Sequence, residues 1–258
     1  VGVKGNAEGN FKEPTANDSS IYDVCNLKSA EMEFNLGGKE LKNILASGQA
    51  YSFYAPGTKD SAEIIRNNSS GDTIKLFLED KRLQKVQIIG GAEGEYFNGK
   101  YKKSDSGQIF IEDTVRYKSD SIEYTLIDTT IRLIGTAAVE NKTMSLSAHR
   151  IRYNTARELV TAYDDSTFVD STFKYIPVVL RDGTEEMIGS YLEYSMDTQR
   201  GMLRQSKTEY QEAYYRGKEL FREQKDIYYV ENGTYTSCDR DEPHFHFRSK
   251  NMKMIQGD

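Results

Sequence analysis

The stretch Gly71–Gly94, GDTIKLFLEDKRLQKVQIIGGAEG, alternates apolar and polar residues on both sides of a charged turn. Ile74, Leu76 and Leu78 occupy every second position before the turn, and Val86 and Ile88 do the same after it. A period of two places alternate side chains on one face of a β-strand. The stretch therefore predicts a hairpin whose two strands share one apolar face.

The same alternation recurs in four other places along the chain, with polar residues such as Glu33 and Glu193 between the apolar positions. We expect the apolar members of all five segments to line the inner face of the fold. They are Met32, Phe34, Leu36, Ile74, Leu76, Leu78, Ile122, Tyr124, Leu126, Ile151, Tyr153, Leu192, Tyr194 and Met196.

A longer unit repeats at a constant offset of 42 residues (83 − 41 = 42). Leu41, Ile44, Ala46, Gly48 and Ala50 match Leu83, Val86, Ile88, Gly90 and Ala92, and a third copy keeps Ile131, Leu133, Gly135 and Ala137. The glycines are predicted to relax the backbone at a bend. Later copies are unevenly spaced, so the repeat is loose and its loops vary in length.

Many amphipathic strands need a common place to bury their apolar faces. The pattern predicts an all-β fold of antiparallel strands, built as an elongated β-jellyroll or a folded sheet whose inner faces meet. Two readings of the inner face remain open. Its residues either form a filled core or leave a seam for acyl chains, where burial gives about 0.8 kcal/mol per CH₂ and roughly 8–10 kcal/mol for about twelve carbons.

Turn signals punctuate the strands at Gly37-Gly38, Glu79-Asp80, Asn98-Gly99, Asp182-Gly183 and Asn232-Gly233. Two polar segments, 14–20 and 67–71, are interpreted as surface loops. Residues 206–226 have apolar positions at helical spacing, which favours a helix. Their tyrosines and their neighbours favour strands, and strands are the prediction.

Composition excludes several classes of protein. The net charge is −6 with basic and acidic residues interspersed, which argues against a nucleic-acid partner. No apolar run approaches the ~20 residues of a membrane helix. The chain starts at Val1 without a recognisable signal peptide, so we interpret it as either an excised segment or a mature fragment.

Motifs for enzymatic chemistry are missing, so neither a catalytic role nor a cofactor is predicted. His244 and His246 flank Phe245, and we interpret them as a polar strand face with Phe245 and Phe247 inside rather than as a metal site. Lysines and arginines are interpreted as solvated strand faces, with some of them as candidate contacts for anionic sugars or phosphates. Cys25 and Cys238 form either a mutual disulfide or two thiols.

The C-terminal segment 228–239, YYVENGTYTSCD, resembles the strand that precedes the transmembrane barrel in the LptD family, also called OstA or organic solvent tolerance proteins. The stretch 71–94 resembles the OstA-type repeat that this family shares with the bridge protein LptA. The resemblance implies a periplasmic β-jellyroll that binds the lipid A acyl chains of lipopolysaccharide and delivers the lipid to an outer-membrane barrel.

The same resemblance implies partners and a location. The partners are lipopolysaccharide, an LptA-type bridge protein that pairs with an edge strand in segments 1–11 or 21–27, and an LptE-type lipoprotein bound through a barrel outside this chain. The location is the periplasmic face of the outer membrane. In the family the cysteine of this motif forms a disulfide with a barrel cysteine, which implies that role for Cys238. Cys25 departs from the family pattern because it does not lie at the extreme N-terminus.

The expected organisation is a single domain over 1–258, with LptA-like repeats in 1–145 and a continuation in 146–258 that ends just before the barrel. Two rival hypotheses stay open. An LptA- or LptC-like bridge protein would share the repeats without the Cys238 motif. A glycan-binding or structural surface module would place its aromatic residues in loops, whereas here they lie mainly in the predicted strands.

Overall fold

The computed structural model describes residues 1–15, 18–58, 63–104, 107–169, 172–183, 185–210, 213–224, 227–240 and 242–255. Within these ranges the secondary structure is all β, which confirms the predicted fold class. The chain divides into two compact units. Unit 1 comprises Val1–Asp128 and Val139–Lys142, and unit 2 comprises Thr129–Ala138 and Thr143–Asp258. The single domain expected over 1–258 stays a prediction.

Unit 1 is built from six long strands, each antiparallel to the next along the chain. They are β1 (Gly2–Thr15), β2 (Asp18–Gly37), β3 (Glu40–Ala55), β4 (Glu63–Glu79), β5 (Arg82–Ser104) and β6 (Gly107–Thr125). Tight turns at Gly38 and at Asp80-Lys81, all three with positive φ, allow the chain to reverse between neighbours.

Unit 2 contains shorter strands. They are β7 (Thr130–Glu140), β8 (Met144–Asn154), β9 (Leu159–Tyr163), β10 (Asp165–Val169), β11 (Thr172–Ile176), β12 (Val178–Asp182), β13 (Glu185–Gly189), β14 (Tyr191–Ser195), β15 (Gly201–Tyr210), β16 (Ala213–Gln224), β17 (Ile227–Thr236) and β18 (Phe247–Ile255). Strands β10 and β11 form a separate hairpin.

A bend divides each long strand of unit 1 into two segments. Gly5-Asn6 in β1, Gly48-Gln49 in β3 and Gly90-Gly91 in β5 all have positive φ, between 52° and 81°. The register of the neighbouring strands shifts at the same level. Side chains therefore change face at the bend, and both segments of a strand turn their buried residues to the same inner side.

Unit 2 has its bend at the level of Gln205 and Asn232, whose φ values are 49° and 48°. Strand β8 pairs with β12 on one side of the bend and with β9 on the other. Strand β15 likewise pairs with β13 on one side and with β14 on the other. We name the two sides the β12 half (144–147, 178–182, 185–189, 206–210, 213–217, 233–236, 247–249) and the β14 half (150–154, 159–163, 191–195, 201–204, 219–224, 227–231, 251–255).

The bend glycines confirm the prediction for Gly48, Gly90 and Gly135, which all have positive φ. The strand prediction for 206–226 is also confirmed in the described residues, because β15 and β16 account for them. The apolar positions there have helical spacing because side chains change face at the bend. Some inward residues on either side of the bend are therefore three positions apart instead of two.

Several turn and loop predictions are wrong. Segment 67–71 lies inside β4, and the described residues of 14–20 belong to β1 and β2. Asn98-Gly99 lies within β5, and Asn232-Gly233 lies within β17 at the bend. Polar residues and glycine in these segments belong to continuous strands, because the backbone hydrogen bonds between antiparallel strands do not require apolar side chains.

Candidate functional site

The inner face of unit 1 carries apolar residues that stand directly opposite one another across six strands. One row joins Val3, Met32, Ala46, Ile74, Ile88 and Ile122, and a second joins Phe34, Ile44, Leu76, Val86 and Tyr124. Met32, Ala46 and Ile74 are at most 1% exposed. We call this region the apolar half of unit 1 (31–37, 40–47, 73–79, 82–89, 121–125).

The other side of the bend in unit 1, the hydroxyl half (7–15, 18–29, 50–55, 63–71, 92–104, 107–119), has a different inner face. Ser52 and Ser69 are buried and their Oγ atoms lie 2.8 Å apart in a hydrogen bond. The Tyr117 hydroxyl donates to Asn67 Oδ1 over 2.6 Å. Burial among the described residues is therefore shared between Leu27, the small residues Ala7, Ala50 and Ala92, and a series of satisfied hydroxyl groups.

A polar cluster lies towards the strand ends of the hydroxyl half. Asp23 accepts a hydrogen bond from the Tyr54 hydroxyl over 3.0 Å and another from the Gly57 amide over 2.8 Å. Burial, followed by the charge of Asp23, raises the pKa of Tyr54. The same two causes raise the pKa of Tyr124, which belongs to the apolar half. Asp23 thus acts electrostatically on tyrosines from both halves of the unit.

Burial alone accounts for the shifted titration of Tyr117. It raises the pKa of the hydroxyl to about 12, although the hydrogen bonds with Asn67 and Ser69 act in the opposite direction. The phenol is therefore neutral at every physiological pH, and the hydroxyl half carries polarity without charge at this position.

In unit 2 the inner face of the β14 half is apolar over seven strands. One row joins Ile151, Ala162, Leu192, Leu203, Leu220, Val230 and Met252. The facing β12 half contributes Leu146, Leu180 and Met187 in adjacent strands, each less than 8% exposed. The alternation of aliphatic residues in the sequence places them on one side because each strand is pleated.

A charged pair interrupts this apolar interior. Arg222, in the β14 half, is only 11% exposed and its Nη1 lies 3.2 Å from Oδ2 of Asp182 in the β12 half. Beside it, the Tyr228 hydroxyl donates to Glu185 Oε2 over 3.3 Å. Tyr228 belongs to the β14 half and Glu185 to the β12 half, so two polar contacts link the halves.

The interpretation of arginines as solvated strand faces is wrong for Arg222. Its position follows from the alternation, because Arg222 lies two residues after Leu220 and Asp182 lies two residues after Leu180. A polar residue at an inward position of an alternating strand is the sequence signal that could have revealed the pair. Strand alternation alone cannot show that the two residues meet, since their strands are not neighbours in the sheet.

The structure brings most of the predicted inner residues onto shared rows. Met32, Ile74 and Ile122 share one row of unit 1, and Ile151 and Leu192 share one of unit 2. Buried members are Met32, Ile74, Leu76, Ile122, Ile151, Leu192 and Tyr194, and half-buried members are Phe34, Leu78, Tyr124, Leu126 and Tyr153. Leu36 and Met196 are 57% and 41% exposed because they lie at strand ends. Contact with lipid stays a prediction for all of them.

Residues 228–236 of the C-terminal motif lie in β17, and residues 237–239 follow that strand. Cys25 and Cys238 are both present as thiols, and Cys238 Sγ lies 3.7 Å from His244 Nδ1. Phe245 and Phe247 are 52% and 66% exposed, so the prediction that they point inside is wrong. Residues 242–246 precede β18 and do not form a strand, which removes the alternation on which that prediction relied. The disulfide role of Cys238 stays a prediction.

The middle of the chain matches a model of a known protein family. Residues 60–159 match the family model described as LptA/(LptD N-terminal domain) LPS transport protein. This segment is similar to the LptA/LptD N-terminal family. The resemblance seen in the sequence is therefore confirmed over these residues, which include β4 to β8. The matched family is described as one of LPS transport proteins.

Among solved structures, the chain is similar to LptH of Pseudomonas aeruginosa, described as the LptA-homologous periplasmic component of the conserved lipopolysaccharide transport device. The identity is 18%, the TM-score is 0.37, and the similarity covers 58% of this chain and 92% of LptH. No curated protein matches the chain by sequence. Among the described residues, no helix is long and apolar enough to cross a membrane.

Proposed function

We propose that the chain is a periplasmic lipopolysaccharide-transport domain that holds lipid A acyl chains against its inner apolar rows and delivers the lipid towards an outer-membrane barrel. The observation that carries the proposal is the in-register apolar row of unit 1 from Met32 to Ile122, which lies largely within the segment of LPS-transport type. A continuous apolar row gives acyl methylenes contact over several strands.

An acyl chain held against the inner face would avoid contact with water. A chain of about twelve carbons gains roughly 8–10 kcal/mol by leaving water. The row residues are already buried against one another, so the lipid has to separate the inner faces and replace those contacts with its own. Replacement of one apolar contact by another costs little, which suits a module that must accept and release its cargo.

Strand edges supply a route for partners. Within the described strands, β1 and β18 form the two ends of the strand order. We propose that an LptA-type bridge protein extends the sheet beside β1, as the resemblance implies, because an edge strand offers backbone donors and acceptors to an added strand. An LptE-type partner and the barrel belong to the same proposal.

A bridge protein of the LptA type is the second candidate function, since the matched family description names both LptA and the LptD N-terminal domain. The sequence 228–239, with Cys238, favours the LptD-type module. A disulfide between Cys238 and a barrel segment, detected in the native membrane, would support the LptD-type module. A chain that binds only soluble partners would contradict it.

Light-activated crosslinking to lipopolysaccharide tests the proposal. A photoreactive residue is placed at Leu76, Tyr124 or Tyr194, and the matched outward controls are Lys75, Glu123 and Glu193. We expect lipid adducts at the inward positions and none at the controls. Adducts at neither set, in samples with native circular dichroism, would mean that the inner face is a filled core.

A further inference from the structure

The Arg222–Asp182 pair lies at the mouth of the unit 2 interior. Asp182 is the last residue of β12 and precedes the turn at Gly183. Arg222 lies two residues before the end of β16 at Gln224. Both positions are at the strand ends far from the bend, and their contact joins the β12 half to the β14 half. The pair therefore joins the halves at their open edge.

Arg222 is poorly satisfied for a buried cation. Its Nε is buried and has no hydrogen-bond partner among the described residues. The Arg222 Cζ lies 5.9 Å from the centre of the Tyr228 ring, and Asp182 is its ion-pair partner. A guanidinium has five N–H donors in a planar fork that matches carboxylate and phosphate oxygens. The geometry leaves donors for a second or a replacement anion.

The surroundings explain why the pair resists opening by itself. Tyr194 and Tyr228 lie beside Arg222 on its own row, and burial raises the pKa of both hydroxyls. Separation of the halves would leave Arg222 among these aromatic residues without a counter-ion. An unpaired charge in such a place is strongly unfavourable, so opening requires an anion that takes the place of Asp182.

We propose that Arg222 is an anion-binding residue at the mouth of the unit 2 interior, and that the phosphate of an incoming phosphorylated amphiphile replaces Asp182 at its guanidinium. The inference rests on the proposed function, because the alkyl chain of that amphiphile lies along the Leu192–Leu203–Leu220 row. A neutral amphiphile cannot replace Asp182. The exchange therefore makes unit 2 selective for phosphorylated lipids over uncharged ones.

Calorimetric titration of the full chain with three probes tests the exchange. The probes are dodecyl phosphate, the uncharged dodecyl glucoside and inorganic phosphate, all as monomers in solution. Dodecyl phosphate should bind about 10- to 100-fold more tightly than the glucoside, the range given by hydrogen bonds to a charged group. Inorganic phosphate should not bind measurably at the same concentrations, because the alkyl chain supplies most of the affinity.

Two variants act in opposite directions. Arg222→Leu should remove the preference for dodecyl phosphate and leave glucoside binding unchanged. Asp182→Asn should tighten dodecyl phosphate binding, because the competing carboxylate is gone. Arg204→Leu is the matched control, since Arg204 pairs with Glu219 on the exposed face of the same unit and is 53% exposed. It should leave both affinities unchanged.

Each outcome decides a separate point. If the wild-type chain bound dodecyl phosphate and dodecyl glucoside equally well, or if Asp182→Asn bound dodecyl phosphate more weakly, the exchange at Arg222 would be overturned. The proposed function would not be affected by either result. Inorganic phosphate that binds as tightly as dodecyl phosphate would show a free-anion site instead. If neither amphiphile binds to the wild-type chain, the proposed function falls and the exchange falls with it. Should Arg222→Leu fail to fold, Asp182→Asn still decides, because a merely structural pair predicts no gain in affinity.

Discussion

The two units bury their inner faces by different means. In unit 1 an apolar half, with Ile74 at its centre, lies across the bend from a hydroxyl half in which Ser52, Ser69 and Tyr117 are hydrogen-bonded. In unit 2 both halves carry apolar residues, and hydroxyl groups are buried there too, at Ser206, Thr208 and Thr236, but the Arg222–Asp182 ion pair also links the halves. Buried hydroxyl groups thus occur in both interiors, and unit 2 adds an ion pair.

This difference has a consequence for a lipid cargo. Hydroxyl groups that already have partners gain nothing from an acyl chain, so unit 1 should hold methylenes mainly in its apolar half. Under the proposed function, unit 2 would hold methylenes along its apolar rows and would add the Arg222–Asp182 charges. The two units would then differ in their selectivity for charged lipids.

The largest expected effect separates the apolar centres from the outward faces. Ile74→Ala in unit 1 and Leu203→Ala in unit 2 should each lower the free energy of unfolding by about 2–5 kcal/mol, since both side chains are at most 2% exposed and leave a cavity. Denaturant unfolding followed by circular dichroism measures the loss. Lys75→Ala, on the outward face beside Ile74, should change stability by less than about 0.5 kcal/mol. Equal losses at Ile74 and Lys75 would contradict the assignment of the inner face.

An alkaline titration should affect the hydroxyl half of unit 1. The pKa of Tyr117 is raised in the folded chain to about 12, against an ordinary value of 10.0. The protonated hydroxyl is favoured in the folded state, so its contribution is complete below pH 10 and is lost as the pH rises towards 12. Tyr117→Phe should make the stability less dependent on pH in this window. Tyrosinate absorbance and unfolding curves measured together would show the loss, and an identical pH profile in the variant would contradict it.

Substitutions at the bends of the two units should change stability in opposite directions. Gly90→Ala should destabilise unit 1 by about 1–3 kcal/mol, because φ is 81° and a Cβ would collide with the Asp72 carboxylate. Gly91→Ala is the milder control, since φ is 56° and nothing lies within 4 Å of its Cβ. In unit 2 Gln205, with φ 49°, occupies a conformation that glycine adopts more easily. Gln205→Gly should therefore stabilise the chain by up to about 1 kcal/mol in thermal unfolding, and a loss would contradict a strained bend.

The sequence predicts the parts of the fold that depend on local pattern. Period-two alternation identifies Ile74, Leu76 and Ile122 as inward residues, and the repeated glycines identify the bend. The local pattern does not predict the Ser52–Ser69 pair or the Arg222–Asp182 contact. The serine pair depends on the register of β3 and β4, and the Arg222–Asp182 contact depends on which strands face each other across the bend. A polar residue at an inward position looks the same in the sequence whether a partner or water faces it.

A further expected effect concerns the serine pair of the hydroxyl half. Ser69→Ala should cost about 1–2 kcal/mol, because it leaves the buried Ser52 hydroxyl without its partner. The double variant Ser52→Ala with Ser69→Ala removes both groups and should lie within about 0.5 kcal/mol of the wild type. Denaturant unfolding of both single variants and the double variant gives the coupling between them. If the double variant were as unstable as the sum of the single ones, the two hydroxyls would act independently, and the hydroxyl half would need water or lipid polar groups, rather than its own pairs, to satisfy it.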